Sequence, residues 1–190
     1  MTSTKKKPAL EQAGPGKALK PKPVNTSAQA SSTAYSALEP GRVAPAHFDL
    51  LMSFTNIRPG KLVEALRGFF VDQIQQKDLV TTLEVNQSML SRKTKEVLEL
   101  DGRIRLHLST RKISALEPGK VDATHFDFLV SCTNFRGEKL LEALREHFVD
   151  GAKQKNLVAT LGVHQSLLSR KTAEIHEVNE RLAQISKYCR

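Results

Sequence analysis

The chain has no tryptophan, and aromatic residues make up only 5% of its 190 residues. A β-sandwich leans on aromatic and β-branched side chains, so this composition points to helices around a modest core. Two cysteines, Cys132 and Cys189, are too few for a disulfide framework or a cysteine-rich zinc site, and they fit a reducing compartment. Apolar stretches run for only a few residues, which excludes a membrane-spanning helix. The lysines near the N-terminus have no apolar run behind them, so no signal peptide is expected. A glycine-rich phosphate loop, a nucleophile elbow and paired catalytic carboxylates are all missing, so neither enzyme activity nor a bound cofactor is expected. Acidic residues are also in deficit: 20 Asp and Glu face 29 Lys and Arg, for a formal charge of +9. Such a balance favours a polyanionic partner.

What is present is a repeat. The segment starting SALEPGRVAPAHFDLLMSFTN at Ser36 returns as SALEPGKVDATHFDFLVSCTN at Ser114, an offset of 78 residues. The register holds without a gap through Leu98 and His176, with 39 identities in 63 positions. Two copies make a tandem duplication of a small domain, not a solenoid. The division read from this pattern is a basic arm over 1–35, a first repeat over 36–98, a basic linker over 99–113, and a second repeat with a helical extension over 114–190. Residues 1–35 hold six lysines against Glu11, whereas each repeat is within one charge of neutral. The arm, with almost no large apolar residue, is expected to be disordered.

Within the first copy, Leu62, Ala65, Leu66, Phe69 and Phe70 fall at i, i+3, i+4, i+7 and i+8, the apolar stripe of a helix. Leu140, Ala143, Leu144, His147 and Phe148 repeat it. A shorter stripe of Phe48, Leu51 and Met52 precedes it, introduced by a Pro40-Gly41 turn. After the long stripe, Leu79, Val80 and Leu83 give a short helix, Glu84-Val85-Asn86 interrupts it, and Leu90, Thr94 and Val97 start a new register. The second copy interrupts at Gly162-Val163-His164. This is a helix-turn-helix pattern, with Gly162 suited to a positive φ that Glu84 adopts at some cost. The expected fold is therefore all-α: two tandem helix-turn-helix domains, a disordered N-terminal arm and a C-terminal helix. Ile175, Val178, Leu182 and Ile185 form a short seam that leaves self-packing and homo-oligomerisation through the C-terminal helix both open.

The LGVHQSLLSRK segment resembles the helix-turn-helix core of phage Cro repressors. Lys93 and Lys171 depart from it, standing where those proteins bury a small or apolar side chain. The run of Leu-Glu-Pro-Gly, then His47-Phe48 or His125-Phe126, then the amphipathic helix and VNQSMLS resembles the PapB family of adhesin (fimbrial) transcription regulators. That resemblance covers about 60 residues twice. It implies an all-helical bacterial DNA-binding protein, AT-rich operator DNA, and a place in the bacterial cytoplasm on the nucleoid.

The candidate base-reading residues open the second helix of each motif. They are Asn86, Gln87, Ser88, Ser91, Arg92 and Lys95 in the first copy, and His164, Gln165, Ser166, Ser169 and Arg170 in the second. Gln can pair twice with adenine, and Arg with guanine or phosphate. Lys5, Lys6, Lys7, Lys17, Lys20 and Lys22 are candidates for sequence-independent phosphate contacts. His47 and His125 have no second His or Cys at ligand spacing, so packing or capping is expected and no metal site. The expected partner is double-stranded DNA, with no membrane. A protein-interaction scaffold and an accessory factor of a mobile element are the alternatives. RNA recognition lacks the surface aromatics it would stack on.

Overall fold

A computed structural model describes residues 38–189, and within them the protein is all-α, with no strand. The basic arm of residues 1–35 lies outside the described residues. The first repeat contributes α1 (Pro45–Ser53), α2 (Lys61–Phe70), α3 (Gln76–Leu83) and α4 (Gln87–Thr110). The second contributes α5 (Ala123–Ser131), α6 (Glu138–Phe148), α7 (Gln154–Leu161) and α8 (Gln165–Ile185), followed by a 3-10 turn at Ser186–Tyr188. Residues Glu99–Thr110 form the second half of α4, and Asp101, Ile104 and His107 among them are buried. None of the described helices is long and apolar enough to cross a membrane.

The Leu-Glu-Pro-Gly segment has a structural task in both copies. The Gly41 and Val43 amides both donate to the Phe70 carbonyl, at 2.9 and 3.2 Å, and so close the C-terminal end of α2. Gly119 and Val121 do the same to Phe148, with the same distances. Gly41 sits at φ +76°, and a Cβ there would lie 2.5 Å from the Gln73 Cβ. Only glycine fits. A helix end that would otherwise leave carbonyls unsatisfied is capped by the segment leading into α1.

The stripes pack as their spacing requires. Ala65, Leu66 and Phe70 of α2 are fully buried, as are Ala143, Leu144 and Phe148 of α6. Ile175, Val178, Leu182 and Ile185 are buried inside the chain, and one continuous apolar core runs through both repeats. The reason is docking between the halves: α8 packs on α1 of the first repeat as well as on α5 of its own, and Arg103 and His107 of α4 reach α5.

Three hydrogen bonds across this seam are related by the repeat offset. Arg103 Nη2 of α4 donates to Ser131 Oγ at 2.6 Å, and its counterpart Arg181 Nη1 of α8 donates to the Ser53 carbonyl at 2.8 Å. Asn134 Nδ2 donates to Asn56 Oδ1, and these two residues are 78 apart, the same position in each copy. When i meets j′, i′ meets j, and one residue meets its own equivalent, the relation is a two-fold axis. The duplication folds as a dimer inside one chain.

The two ends of that seam differ. At one, His125 Nε2 lies 2.9 Å from Asn179 Oδ1, and His125 Nδ1 lies 2.8 Å from His107 Nε2. Since the amide oxygen only accepts, His125 donates from Nε2 and accepts at Nδ1 from His107. Asn179 completes the relay by donating to the Ser114 carbonyl at 2.9 Å. Burial, then the neighbouring His125 and Arg111, bring the His107 pKa down to about 4 despite the opposing Asp122, and burial also lowers that of His125. The unfolded chain therefore binds more protons than the folded one between pH about 4 and 6.5. The contribution of His107 to stability is present above pH 6.5 and lost as the pH falls towards 4. Urea midpoints should drop over that window, and His107→Gln, which keeps a hydrogen-bonding side chain without a titrating one, should flatten the slope. An unchanged slope in this variant would refute the assignment.

Candidate nucleic-acid interface

Each repeat holds a helix-turn-helix, α3–α4 and α7–α8. Glu84 ends α3 at φ +53°, and Gly162 ends α7 at φ +65°, so both turns use the left-handed region. Glu84 Oε2 accepts from Lys61 Nζ at 3.0 Å, an exposed pair of small worth. Val85 and Val163 follow the turn and pack half-buried on the core, as do Leu83 and Leu161, while Leu79, Leu90, Leu157 and Leu168 are buried. Lys93 and Lys171 are half-buried. Their ammonium groups reach Glu96 and Glu174 at 2.5 Å, and Lys171 also lies 4.4 Å above the Phe135 ring. A long aliphatic stem thus covers a position where a smaller side chain would have been buried outright.

A polar clamp joins the two helices of each motif. Gln76, the first residue of α3, donates from Nε2 to Thr94 Oγ1 at 3.2 Å and accepts at Oε1 from Ser91 Oγ, also at 3.2 Å. Thr94 in turn donates to the Leu90 carbonyl at 2.9 Å. The second copy repeats every member: Gln154 to Thr172 at 3.0 Å, Ser169 to Gln154 at 3.3 Å, and Thr172 to the Leu168 carbonyl at 2.9 Å. Sequence reasoning missed Gln76 and Gln154, although their recurrence at the repeat offset beside the recurring threonines was the available signal.

The candidate residues are brought together at the start of α4 and of α8, all exposed. They do not form one class. Ser91 and Ser169 serve the clamp, which makes them positioning groups. Asn86 is the N-cap of α4: its Oδ1 accepts from the Met89 amide at 3.1 Å and from Ser88 Oγ at 2.6 Å. His164 occupies the N-cap of α8 without a side-chain cap bond. Lys95 reaches Glu99 at 3.6 Å, and Gln165 Nε2 donates to Ser169 Oγ at 3.4 Å. Gln87, Ser166, Arg92 and Arg170 point no charge or amide into the clamp, and neither arginine joins an ion pair among the described residues. The six arm lysines, Lys5, Lys6, Lys7, Lys17, Lys20 and Lys22, lie outside the described residues.

Comparison with known proteins decides the lineage. The PapB family, described as adhesin biosynthesis transcription regulatory protein, matches residues 22–107 and again residues 101–189. The chain belongs to that family. The regulatory protein FanB of Escherichia coli is 34% identical over 71 residues, which cover 37% of this chain and 72% of FanB. No solved structure matches the chain. A PapB-family unit is thus present twice in this chain, and the two matches meet within α4.

The turn itself is testable. A Cβ at Gly162 would meet nothing within 4 Å, so a substitution there reports backbone conformation alone. A left-handed residue with a Cβ costs about 1–2 kcal/mol, partly offset by about 0.4–1 kcal/mol of unfolded-state entropy. Gly162→Ala should therefore destabilise the chain by about 1 kcal/mol in urea unfolding, and Glu84→Gly should stabilise it by a similar or smaller amount.

Proposed function

We propose that this family member is a DNA-binding transcription regulator that presents two helix-turn-helix readers, through its internal two-fold, to paired AT-rich half-sites. The observation that supports this reading is the exchange-symmetric seam; extended to the whole halves, its rotation would carry the N-terminal turn of α4 onto that of α8. A duplex has dyad axes between its strands, so readers related by a two-fold match half-sites in inverted order. Two domains on a flexible tether would have suited direct repeats equally well. Arg92 and Arg170 supply contacts to guanine or phosphate, and Gln87 and Gln165 supply the bidentate pairing that adenine accepts. Asn86, Ser88, Lys95, His164 and Ser166 border them.

The halves are not identical. Asn86 stands opposite His164, and Lys95 opposite Ala173. The half-sites are therefore imperfect copies, and the chain has a preferred orientation on its operator. Arm lysines add attraction common to all sequences. The action is occupancy of the duplex in the bacterial cytoplasm, with no catalytic step.

Selection from a random duplex pool tests this reading. It should return an inverted repeat with one dominant spacing, and five extra base pairs between the halves, about half a helical turn, should abolish the gain from pairing. Direct repeats, isolated single sites or no enrichment would contradict it, the last favouring a protein-interaction scaffold. Arg92→Ala with Arg170→Ala should leave helicity intact and weaken binding by about 1–3 kcal/mol for each base that an arginine reads. Removing residues 1–35 should weaken binding to every duplex alike and make its salt dependence shallower. A change of sequence preference on that deletion would show that the arm reads bases.

A further inference from the structure

The relay around His125 has no equal around His47. Asp101 stands where the second repeat has Asn179, and Cys189, at the end of the second repeat, closes over the same place. His47 Nε2 and Asp101 Oδ1 face each other at 3.5 Å, with side chains only 5% and 1% exposed. Both atoms are buried without a hydrogen-bond partner among the described residues. Leaving two such atoms unpaired is costly, and proteins of this size bury few of them. Cys189 Sγ completes the group, with all three ligand atoms within 4.8 Å of one another.

We propose that His47 Nε2, Asp101 Oδ1 and Cys189 Sγ form a binding site for a zinc-type divalent transition-metal ion that fastens the two halves of the chain together. Nitrogen, oxygen and sulfur in one set suit a borderline ion, where calcium or magnesium would call for oxygen alone. Bonds of about 2.0–2.3 Å in a tetrahedron place neighbouring ligand atoms roughly 3.3–3.7 Å apart. The histidine–aspartate spacing already matches, and the thiol has to move by no more than about an ångström. The thiol proton leaves to solvent as the thiolate binds.

The surroundings hold the ligands in place. Arg105 Nε donates to the other carboxylate oxygen, Asp101 Oδ2, at 2.7 Å, which turns Oδ1 towards His47. Tyr188 stacks on the His47 ring, 5.0 Å between centroids and 5° from parallel, fixing the imidazole plane. His47 also borders a cleft of about 380 Å³ lined by Arg42, Arg105 and Tyr188, through which water can reach a fourth position. His47 and Asp101 come from α1 and α4 of the first repeat, and Cys189 from beyond α8 of the second. An ion shared among them would tie the segment after α8 to α1 and α4.

Titrating the tag-free full chain with Zn²⁺ in competition with a chromophoric chelator, and with Co²⁺ as a spectroscopic probe, tests the site. One equivalent should bind at micromolar or tighter affinity, Co²⁺ should show a thiolate charge-transfer band, and the melting temperature should rise with metal concentration. Cys189→Ser should remove the band and the shift. Asp101→Asn, which installs the residue the other half already carries, should keep helicity and weaken binding at least tenfold. Cys132→Ser should change nothing. Absence of a stoichiometric site, or affinity retained in either Cys189→Ser or Asp101→Asn, would overturn the proposal.

Discussion

The structure depends on the docking of the two halves, in which α8 of the second repeat packs on α1 of the first and α4 reaches α5. A unit of about 60 residues buries only about 60% of the surface its unfolded chain exposes, against about 70% for one of about 150. Here α4 and α8 extend beyond the helix-turn-helix and carry apolar residues across the seam, so that Ile104, Leu182 and Ile185 are fully buried in a core common to both halves. Burying such side chains is worth about 1.5–3 kcal/mol each. Pairing within one chain removes the concentration dependence that a dimer of single units would face. The same docking fixes how the helix-turn-helix motifs of the two halves are held relative to one another.

Much of this was legible from residue order. The repeat offset, the helical stripes and the interrupted register at Glu84 and Gly162 located the helices and the turns, because local periodicity and backbone preference decide them. The stretch after Leu98 was harder to read. Gly102 and four basic residues over 99–113 look like a linker, yet α4 runs through them, with Ile104 buried in the common core and His107 packed on His125 and Phe128 of α5. Tertiary burial outweighed the glycine's cost, about 1 kcal/mol relative to alanine. The rotation between the halves was equally hidden. A tandem sequence carries translation on its face, and only contacts such as Asn56 with Asn134 disclose a rotation.

At the interface, sequence indicated which helix faces carry polar groups but not how those groups are employed. Ser91 and Ser169 hold Gln76 and Gln154, and Asn86 serves in part as a cap; repetition preserved positioning groups and exposed polar groups alike. Divergence between the copies was the more informative signal. Where Asn179 satisfies His125, Asp101 leaves His47 unpaired, and Cys189 arrives from the other half. A duplicated chain is free to specialise one end of its axis while keeping the other as a plain hydrogen-bonded seam.

Cross-linking at the axis tests the internal two-fold most directly. In a chain with Cys132→Ser and Cys189→Ser, Asn56→Cys and Asn134→Cys place thiols at the one position that meets its own equivalent. A short bismaleimide should join them within a single chain, at a rate independent of protein concentration, and mass spectrometry of the digest should find the two peptides linked. Cross-links only between chains, or none while both thiols react freely with a monofunctional maleimide, would contradict the paired architecture.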